Sequence, residues 1–181
     1  PETANTIAVA RKNSGYAPKH EGVAIFDDGV MRTKVSAAHS GANQLEWGSA
    51  NKLVGYNNET TEFGIRKLNV ATDGIPTTTR TSLEQVKGNL TFKIFNNVAY
   101  FSNGKVVNTE FTPIYVGTFE NVNGPMVYDA NTEMIIYADY NIITGEITLK
   151  HFNSTSLALD HSFPITQVSG GGQNIITCGN G

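Results

Sequence analysis

The stretch that decides the fold is Trp47-Gly-Ser-Ala-Asn-Lys-Leu-Val-Gly-Tyr56. It carries an aromatic residue, an apolar residue six positions later and a second aromatic three positions after that. Two further stretches, residues 92–101 and 128–137, fit the same frame without a gap. A strand ending on an aromatic, a tight reversal and a second strand ending on an aromatic would give this spacing. We interpret the frame as a repeated β-hairpin.

The spacing of the three copies indicates propeller blades. The copies start roughly 45 and then 36 residues apart, close to the ~40–50 residues of a blade. Each copy is followed by further strand-like segments, and aromatic residues recur at equivalent positions. Stacked blades need such residues, because each sheet buries one face against the next. Aromatic and branched residues recur in any β-protein, but three ungapped matches make coincidence the weaker explanation.

Turn signals between short apolar runs support a meander of hairpins. Asp28-Gly29, Asp73-Gly74, Asn103-Gly104 and Thr144-Gly145 each stand between two strand-like segments. The segment before Thr144 includes Ile142-Ile143, which we expect to end a strand. No window of 11 residues or more shows helical periodicity. The sequence therefore predicts an all-β domain.

The two ends of the chain set the number of blades. Residues 6–10, 22–26 and 30–35 read as three strands with no inner strand before them. Residues 173–177 read as an inner strand with no successor, so we expect them to pair with residues 6–10. The prediction is a β-propeller of about four blades of four-stranded antiparallel sheets, forming one domain over 1–181. Its blades span about 43–83, 88–118 and 124–166, with a shared first blade from 6–40 and 171–178. A fragment, or half of a larger ring, stays an alternative.

Composition and charge narrow the function classes. The chain is 39% apolar and 16% charged with a net charge of −3, so no basic surplus supports nucleic-acid binding. No apolar run approaches the ~20 residues of a membrane span. Cys178 is the only cysteine, so no internal disulfide forms, and we expect it to be buried. The composition, rich in Asn, Thr and Gly, favours a secreted or periplasmic protein.

Two segments carry a resemblance to known proteins. Residues 53–70, Leu-Val-Gly-Tyr-Asn-Asn-Glu-Thr-Thr-Glu-Phe-Gly-Ile-Arg-Lys-Leu-Asn-Val, resemble the repeats of bacterial seven-bladed propeller-like proteins of unassigned function. Residues 23–30, an apolar strand running into an Asp-Gly turn, do so as well. The resemblance implies a propeller and no catalytic residues. A full ring of that kind needs about twice this length, which favours the fragment and half-ring alternatives.

Signatures of catalysis and of metal binding are absent from the sequence. It holds no G-x-S-x-G elbow, no phosphate-binding loop, no H-E-x-x-H motif and no pair of cysteines. Gly170-Gly171-Gly172 precedes no helix and reads as a flexible turn. The four histidines lie in separate segments without ligand-like spacing. We therefore predict no catalytic residue, no metal site and no cofactor.

One face of the predicted ring carries loops rich in amides and hydroxyls, which suit adaptable hydrogen bonding to a ligand. The candidate binding residues are His39, Asn57, Asn58, Glu59, Tyr140 and Asn141. Ordinary loops that satisfy their own turns are the alternative reading. We interpret the chain as a non-catalytic binding or scaffolding module for a glycan, peptide or protein partner. The alternatives are a half-ring that pairs with a second copy as a homodimer, and a hydrolase or lyase with its site in the central channel.

Overall fold

The structure is a computed structural model that describes residues 5–12, 20–37, 42–59, 63–166, 168 and 170–176. Within these residues the chain forms fifteen strands and no helix, so the predicted all-β fold is confirmed. The strands make four antiparallel sheets, each in consecutive chain order as in propeller blades. No helix capable of crossing a membrane is found in the described part of the chain.

The sheets fall within the ranges predicted for the four blades. The first has three strands, β1 Thr6–Lys12, β2 His20–Asp27 and β3 Val30–Met31. The second has four, β4 Gln44–Ser49, β5 Lys52–Tyr56, β6 Ile65–Ala71 and β7 Gly74–Thr81. The third has β8 Phe92–Phe95, β9 Val98–Phe101, β10 Lys105–Asn108 and β11 Ile114–Thr118. The fourth has β12 Met126–Asp129, β13 Met134–Tyr140, β14 Ile147–Asn153 and β15 Leu159–Ile165.

The predicted closing strand is not formed. Residues 173–176 lie outside any strand, the first sheet has three strands within the described residues, and Thr177 is outside those residues. The glycines before this segment offer no side chains to pack, and Ile176 is 79% exposed. Ile175 and Ile176 are adjacent and would project to opposite faces of a strand, so neither face gains a row of apolar side chains to bury, and little favours the pairing of this segment. Cys178 also lies outside the described residues.

The four predicted turns all join consecutive strands. Asp28 and Gly29 have φ values of 49° and 83°, the left-handed conformation of a tight hairpin between β2 and β3. The expected strand at Ile142-Ile143 is wrong, because both residues lie in the turn before β14 and are 84% and 91% exposed. The Asn141 side chain accepts hydrogen bonds from the main-chain N–H of Ile143 (2.9 Å) and of Thr144 (3.3 Å), which stabilises the turn instead.

The contacts between Cα atoms divide the chain into two compact units. The first comprises Pro1–Asn89, Asn96–Val98 and Asn108–Ile114, and the second comprises Leu90–Phe95, Ala99–Val107 and Tyr115–Gly181. The first unit contains an aliphatic core between the first and second sheets, formed by Val23, Ile25, Ala42, Leu53, Leu68, Val70 and Ile75. The prediction of one domain over the whole chain is not decided by this division and stays a prediction.

The core of the second unit is aromatic. Phe119 is fully buried, and its ring centroid lies 4.9 Å from that of Phe152 and 5.6 Å from that of Tyr137. The Tyr137 hydroxyl donates a hydrogen bond of 2.9 Å to the carbonyl of Phe101. The repeat anchors Tyr137 and Phe101 therefore meet across two neighbouring sheets, as aromatic residues do between stacked blades.

Candidate functional site

The predicted binding residues Asn57 and Asn58 follow β5 and are buried, with 1% and 8% of their surface exposed. The Asn57 side-chain oxygen accepts a hydrogen bond of 3.1 Å from the main-chain N–H of Glu59. The Asn58 main-chain N–H donates to the Asn43 side chain at 3.0 Å, and the Asn43 amide donates back to the Asn58 side chain. These two amides therefore hold the loop after β5 in place.

Glu59 and the nearby His20 form the charged part of this region, which we call the His20 cluster together with Lys12 and Asn57. The Lys12 ammonium lies 2.5 Å from the Glu59 carboxylate, and this hydrogen bond is the main cause that lowers the pKa of Glu59. Burial is the main cause that lowers the pKa of His20, with Lys12 and Arg66 adding to it and Glu59 and Asn57 opposing it. His20 is 3% exposed, and among the residues that the structure describes neither of its ring nitrogens has a partner in good hydrogen-bonding geometry.

The other predicted residues lie elsewhere. Tyr140 and Asn141 belong to the second unit, and Tyr140 is half-buried at the end of β13. The Asn141 side chain accepts main-chain hydrogen bonds within its own turn. His39 lies outside the described residues. The structure thus brings Asn57, Asn58 and Glu59 together, and binding of a ligand by these residues stays a prediction.

An open groove along the second sheet was not anticipated from the sequence. Its volume is about 400 Å³, and it is lined by Lys67, Asn69, Thr79, Arg80, Thr81, Phe111, Thr112 and Pro113. Lys67 of β6 pairs with Thr79 of β7, and Asn69 pairs with Thr77. Because side chains alternate along a strand, Lys67 and Asn69 project from the same face of the sheet. We call this feature the β6–β7 groove.

The wall of the β6–β7 groove is held by Lys67. Its ammonium donates to the carbonyl of Glu110 at 2.8 Å and to that of Phe111 at 2.6 Å. Burial is the first cause that lowers the pKa of Lys67, with Lys52 adding to it and Glu110 opposing it. The Phe111 ring is left 74% exposed at the edge of the groove. Lys67 therefore positions a large aromatic surface that the described residues leave exposed.

The charge of the groove is positive. The described residues that line it include the cations Lys67 and Arg80 and no carboxylate. Arg80 is exposed and pairs with Arg66, so alternation directs its side chain to the other face of the edge strand β7, where its Nε lies against Gly64. The run Thr77-Thr-Thr-Arg-Thr81 by itself indicates only a strand. The pairing of that run with β6, and the neighbouring Phe111, could be seen only in the structure.

A second cavity, of about 360 Å³, lies on the fourth sheet. It is lined by Asp129, Thr132, Met134, His151, Asp160 and His161. The rings of His151 and His161 are cross-strand neighbours and stack with centroids 4.2 Å apart. Burial is the first cause that lowers the pKa of His151, and His161 adds to it, while Asp160 and Asp129 oppose it. Among the described residues, no group of three or more His, Cys, Asp or Glu side chains is arranged to hold a metal ion.

Comparison with known proteins identifies the fold and no more. No protein-family model matches the chain, and no curated protein matches it in sequence. The hydrazine synthase of Kuenenia stuttgartiensis is similar in structure, with a TM-score of 0.56 and 12% identity over 84% of this chain and 45% of that one. AztD of Citrobacter koseri is similar with a TM-score of 0.57 and 11% identity over 93% of this chain and 45% of that one. The apo structure of AztD is similar with a TM-score of 0.56 and 11% identity over 91% of this chain and 46% of that one.

These similarities place the chain in the class of propeller-type folds. At 11–12% identity they carry no site residue across. The chain spans less than half the length of each of these solved structures. Because one fold can hold many unrelated functions, the function has to be argued from the site.

Proposed function

We propose that this domain is a non-catalytic binding module and that the β6–β7 groove takes a carboxylated segment of a glycan. The observation that carries the proposal is the exposed ring of Phe111 beside a floor of Thr and Asn side chains, in a groove that Arg80 also lines. Ligand sites are concave and combine aromatic or apolar surface with a few polar groups, and this groove has both.

Each part of the groove suits one part of a uronic acid. Turned round the edge of β7 from its place beside Gly64, the guanidinium of Arg80 would match the two oxygens of a carboxylate, which a guanidinium binds through paired, charge-assisted hydrogen bonds. The ring of Phe111 offers a flat apolar surface for the C–H face of a sugar. The hydroxyls of Thr79 and Thr81 and the amide of Asn69 can both donate to and accept from sugar hydroxyls. An acidic peptide would use Arg80 in the same way but has less use for the hydroxyl-lined floor.

The groove supports binding better than hydrolysis. Glycoside hydrolysis by the usual mechanisms needs two carboxyl groups on either side of the scissile bond. The described lining supplies hydroxyls, an amide and two cations, and no carboxylate or histidine. A binding or scaffolding role therefore fits the groove, and catalysis would need groups from elsewhere.

Isothermal titration of the whole chain with a trigalacturonate probe tests the proposal. Removing the charge with Arg80→Gln deletes charge-assisted hydrogen bonds worth about 1.5–3 kcal/mol. We expect the affinity to fall roughly 10- to 100-fold, since 1.4 kcal/mol corresponds to a factor of ten. Arg11→Gln removes a cation from the first sheet, where it forms an exposed 3.5 Å pair with the Glu21 carboxylate and donates to the Glu21 carbonyl at 3.4 Å, and should leave the affinity unchanged.

A second variant separates stacking from charge. Phe111→Ala should weaken the trigalacturonate and a neutral galactose oligomer by similar factors, whereas Arg80→Gln should weaken only the acidic probe. No binding of trigalacturonate by the folded wild-type chain would overturn the proposal. Equal affinities of wild type and Arg80→Gln would do the same. An acidic peptide bound as tightly as the glycan would show that the carboxylate is recognised without the sugar.

A further inference from the structure

The first sheet exposes an apolar face. Ile7 of β1, Phe26 of β2 and Met31 of β3 are cross-strand neighbours in one row, and Val9 lies on the same side of β1. Ile7 is 55% exposed, Val9 38% and Met31 48%, while Phe26 is half-buried. We call Ile7, Val9, Phe26 and Met31 the first-sheet face. The opposite side of the same sheet is packed in the core through Val23 and Ile25.

The fourth sheet exposes a matching face. Ile136, His151 and His161 form one cross-strand row, and Leu149 and Phe163 belong to the next row on the same side. Phe163 is 45% exposed, and Ile136 and Leu149 are half-buried. We call Ile136, Leu149, His161 and Phe163 the fourth-sheet face. The other side of this sheet is covered, because Ile135 and Tyr137 are fully buried and Phe152 is 2% exposed.

Both faces are suited to packing against another sheet. Blades of a propeller bury one face on the previous blade and the other on the next. Flat rows of aliphatic and aromatic side chains are what such packing uses, and they are costly to leave in water at about 25 cal/mol per Å². The first and fourth sheets begin and end the series of sheets in the described chain, and each has one face covered and one exposed.

We propose that a second copy of this chain covers both faces, with the first-sheet face of one copy packed on the fourth-sheet face of the other. The length of the similar structures argues for this occupant. Each of them matches the chain over about 45% of its own length, so two copies would account for roughly nine-tenths of it. A two-fold axis makes the same contact occur twice and closes the assembly, which is the commonest symmetry of soluble oligomers.

Light scattering coupled to size exclusion, with sedimentation equilibrium, tests the proposal on the whole chain. The wild type should be a dimer at micromolar concentration. Phe163→Glu and Ile7→Glu each place a charge in both contacts of the dimer, so each should raise the dissociation constant roughly 100-fold or more. Ile143→Glu changes a turn residue that is 91% exposed and belongs to neither face, so this variant should remain a dimer. Far-UV circular dichroism verifies that each variant is folded.

Mixing the two damaged variants gives the sharpest result. In a mixed pair, the intact fourth-sheet face of Ile7→Glu meets the intact first-sheet face of Phe163→Glu. One of the two contacts is then restored, so an equimolar mixture should associate more tightly than either variant alone. A monomeric wild type would overturn the proposal. So would a Phe163→Glu variant that still forms wild-type dimers, or a mixture that associates no better than its parts.

Discussion

Replacing Tyr137 by Phe should destabilise the second unit by a small and specific amount. The Tyr137 side chain is fully buried, and burial raises the pKa of its phenol far above the ordinary value, so the hydroxyl stays protonated. Its hydroxyl donates to the Phe101 carbonyl at 2.9 Å. The substitution removes this hydrogen bond and leaves the ring in place.

The loss of stability depends on the hydrogen bonds that the Phe101 carbonyl retains. It also accepts a hydrogen bond of 2.9 Å from the main-chain N–H of Gly104, so it is not left without a partner. The cost is then that of an ordinary intramolecular hydrogen bond, about 0.5–1.5 kcal/mol. Tyr137→Ala also removes the ring from Phe119 and Phe152, which raises the cost to about 3–5 kcal/mol.

Urea denaturation followed by far-UV circular dichroism measures both values. Tyr56→Phe is the matched variant in the first unit, where the Tyr56 hydroxyl donates to the Gly88 carbonyl at 3.0 Å and burial raises the pKa of Tyr56 to about 12. We expect a similar loss of about 1 kcal/mol, because the half-exposed Gly88 carbonyl can bind water instead. A Tyr137→Phe variant that loses about 3 kcal/mol, or as much as Tyr137→Ala, would refute the reasoning.

Three further predictions concern titration, backbone geometry and ion pairing. The pKa of His20 is lowered on folding, so between about pH 6.5 and the lower folded value the unfolded chain binds more protons than the folded chain. The free energy of unfolding should therefore fall as the pH falls through this range. His20→Gln should flatten this dependence in urea titrations at several pH values. Gly29→Ala should cost ~1–2 kcal/mol because Gly29 has a positive φ. Gly74→Ala should cost at least twice as much, because Gly74 also has a positive φ and its added methyl would lie 1.9 Å from a main-chain carbonyl oxygen. Equal shifts of the melting temperature for the two variants would contradict this. Lys150→Met breaks the ion pair with Asp139, whose side chains are 19% and 18% exposed, and should cost about 2–4 kcal/mol. Lys87→Met breaks the exposed pair with Glu84 and should cost under ~1 kcal/mol. Similar denaturation midpoints for the two variants would contradict this.

The sequence predicted the fold where local chemistry determines it. The repeat frame that starts at Trp47 and the Asp-Gly and Asn-Gly turns depend on residues within about ten positions of one another, and they located all four sheets. The prediction failed at Ile142, where an Asn side chain stabilises a turn against a strand. It also failed at residues 173–176, because the pairing of a terminal strand depends on a distant partner and not on its own pattern.

The candidate groove could not be predicted for a related reason. Arg80 and Phe111 are far apart in sequence, and both line the groove only because Lys67 ties the segment after Asn108 to the second sheet. The sequence did single out the amides of Asn57 and Asn58, but both residues make hydrogen bonds inside the fold. Composition shows that hydrogen-bonding groups are plentiful, and only geometry shows which of them remain available to a ligand.

The groove and the two exposed sheet faces use different residues of the chain. The β6–β7 groove is lined by β6, β7 and residues 111–113, and it shares no residue with the first-sheet or fourth-sheet face. Separating the copies should therefore leave the affinity for a short oligosaccharide unchanged. A dimer carries two grooves, however, so a polymeric ligand that reaches both gains an effective concentration for its second contact, which can raise avidity about 10²- to 10⁴-fold. If dimers and Phe163→Glu monomers bind trigalacturonate equally but only dimers bind long polygalacturonate tightly, dimer formation raises the avidity of two individually weak grooves.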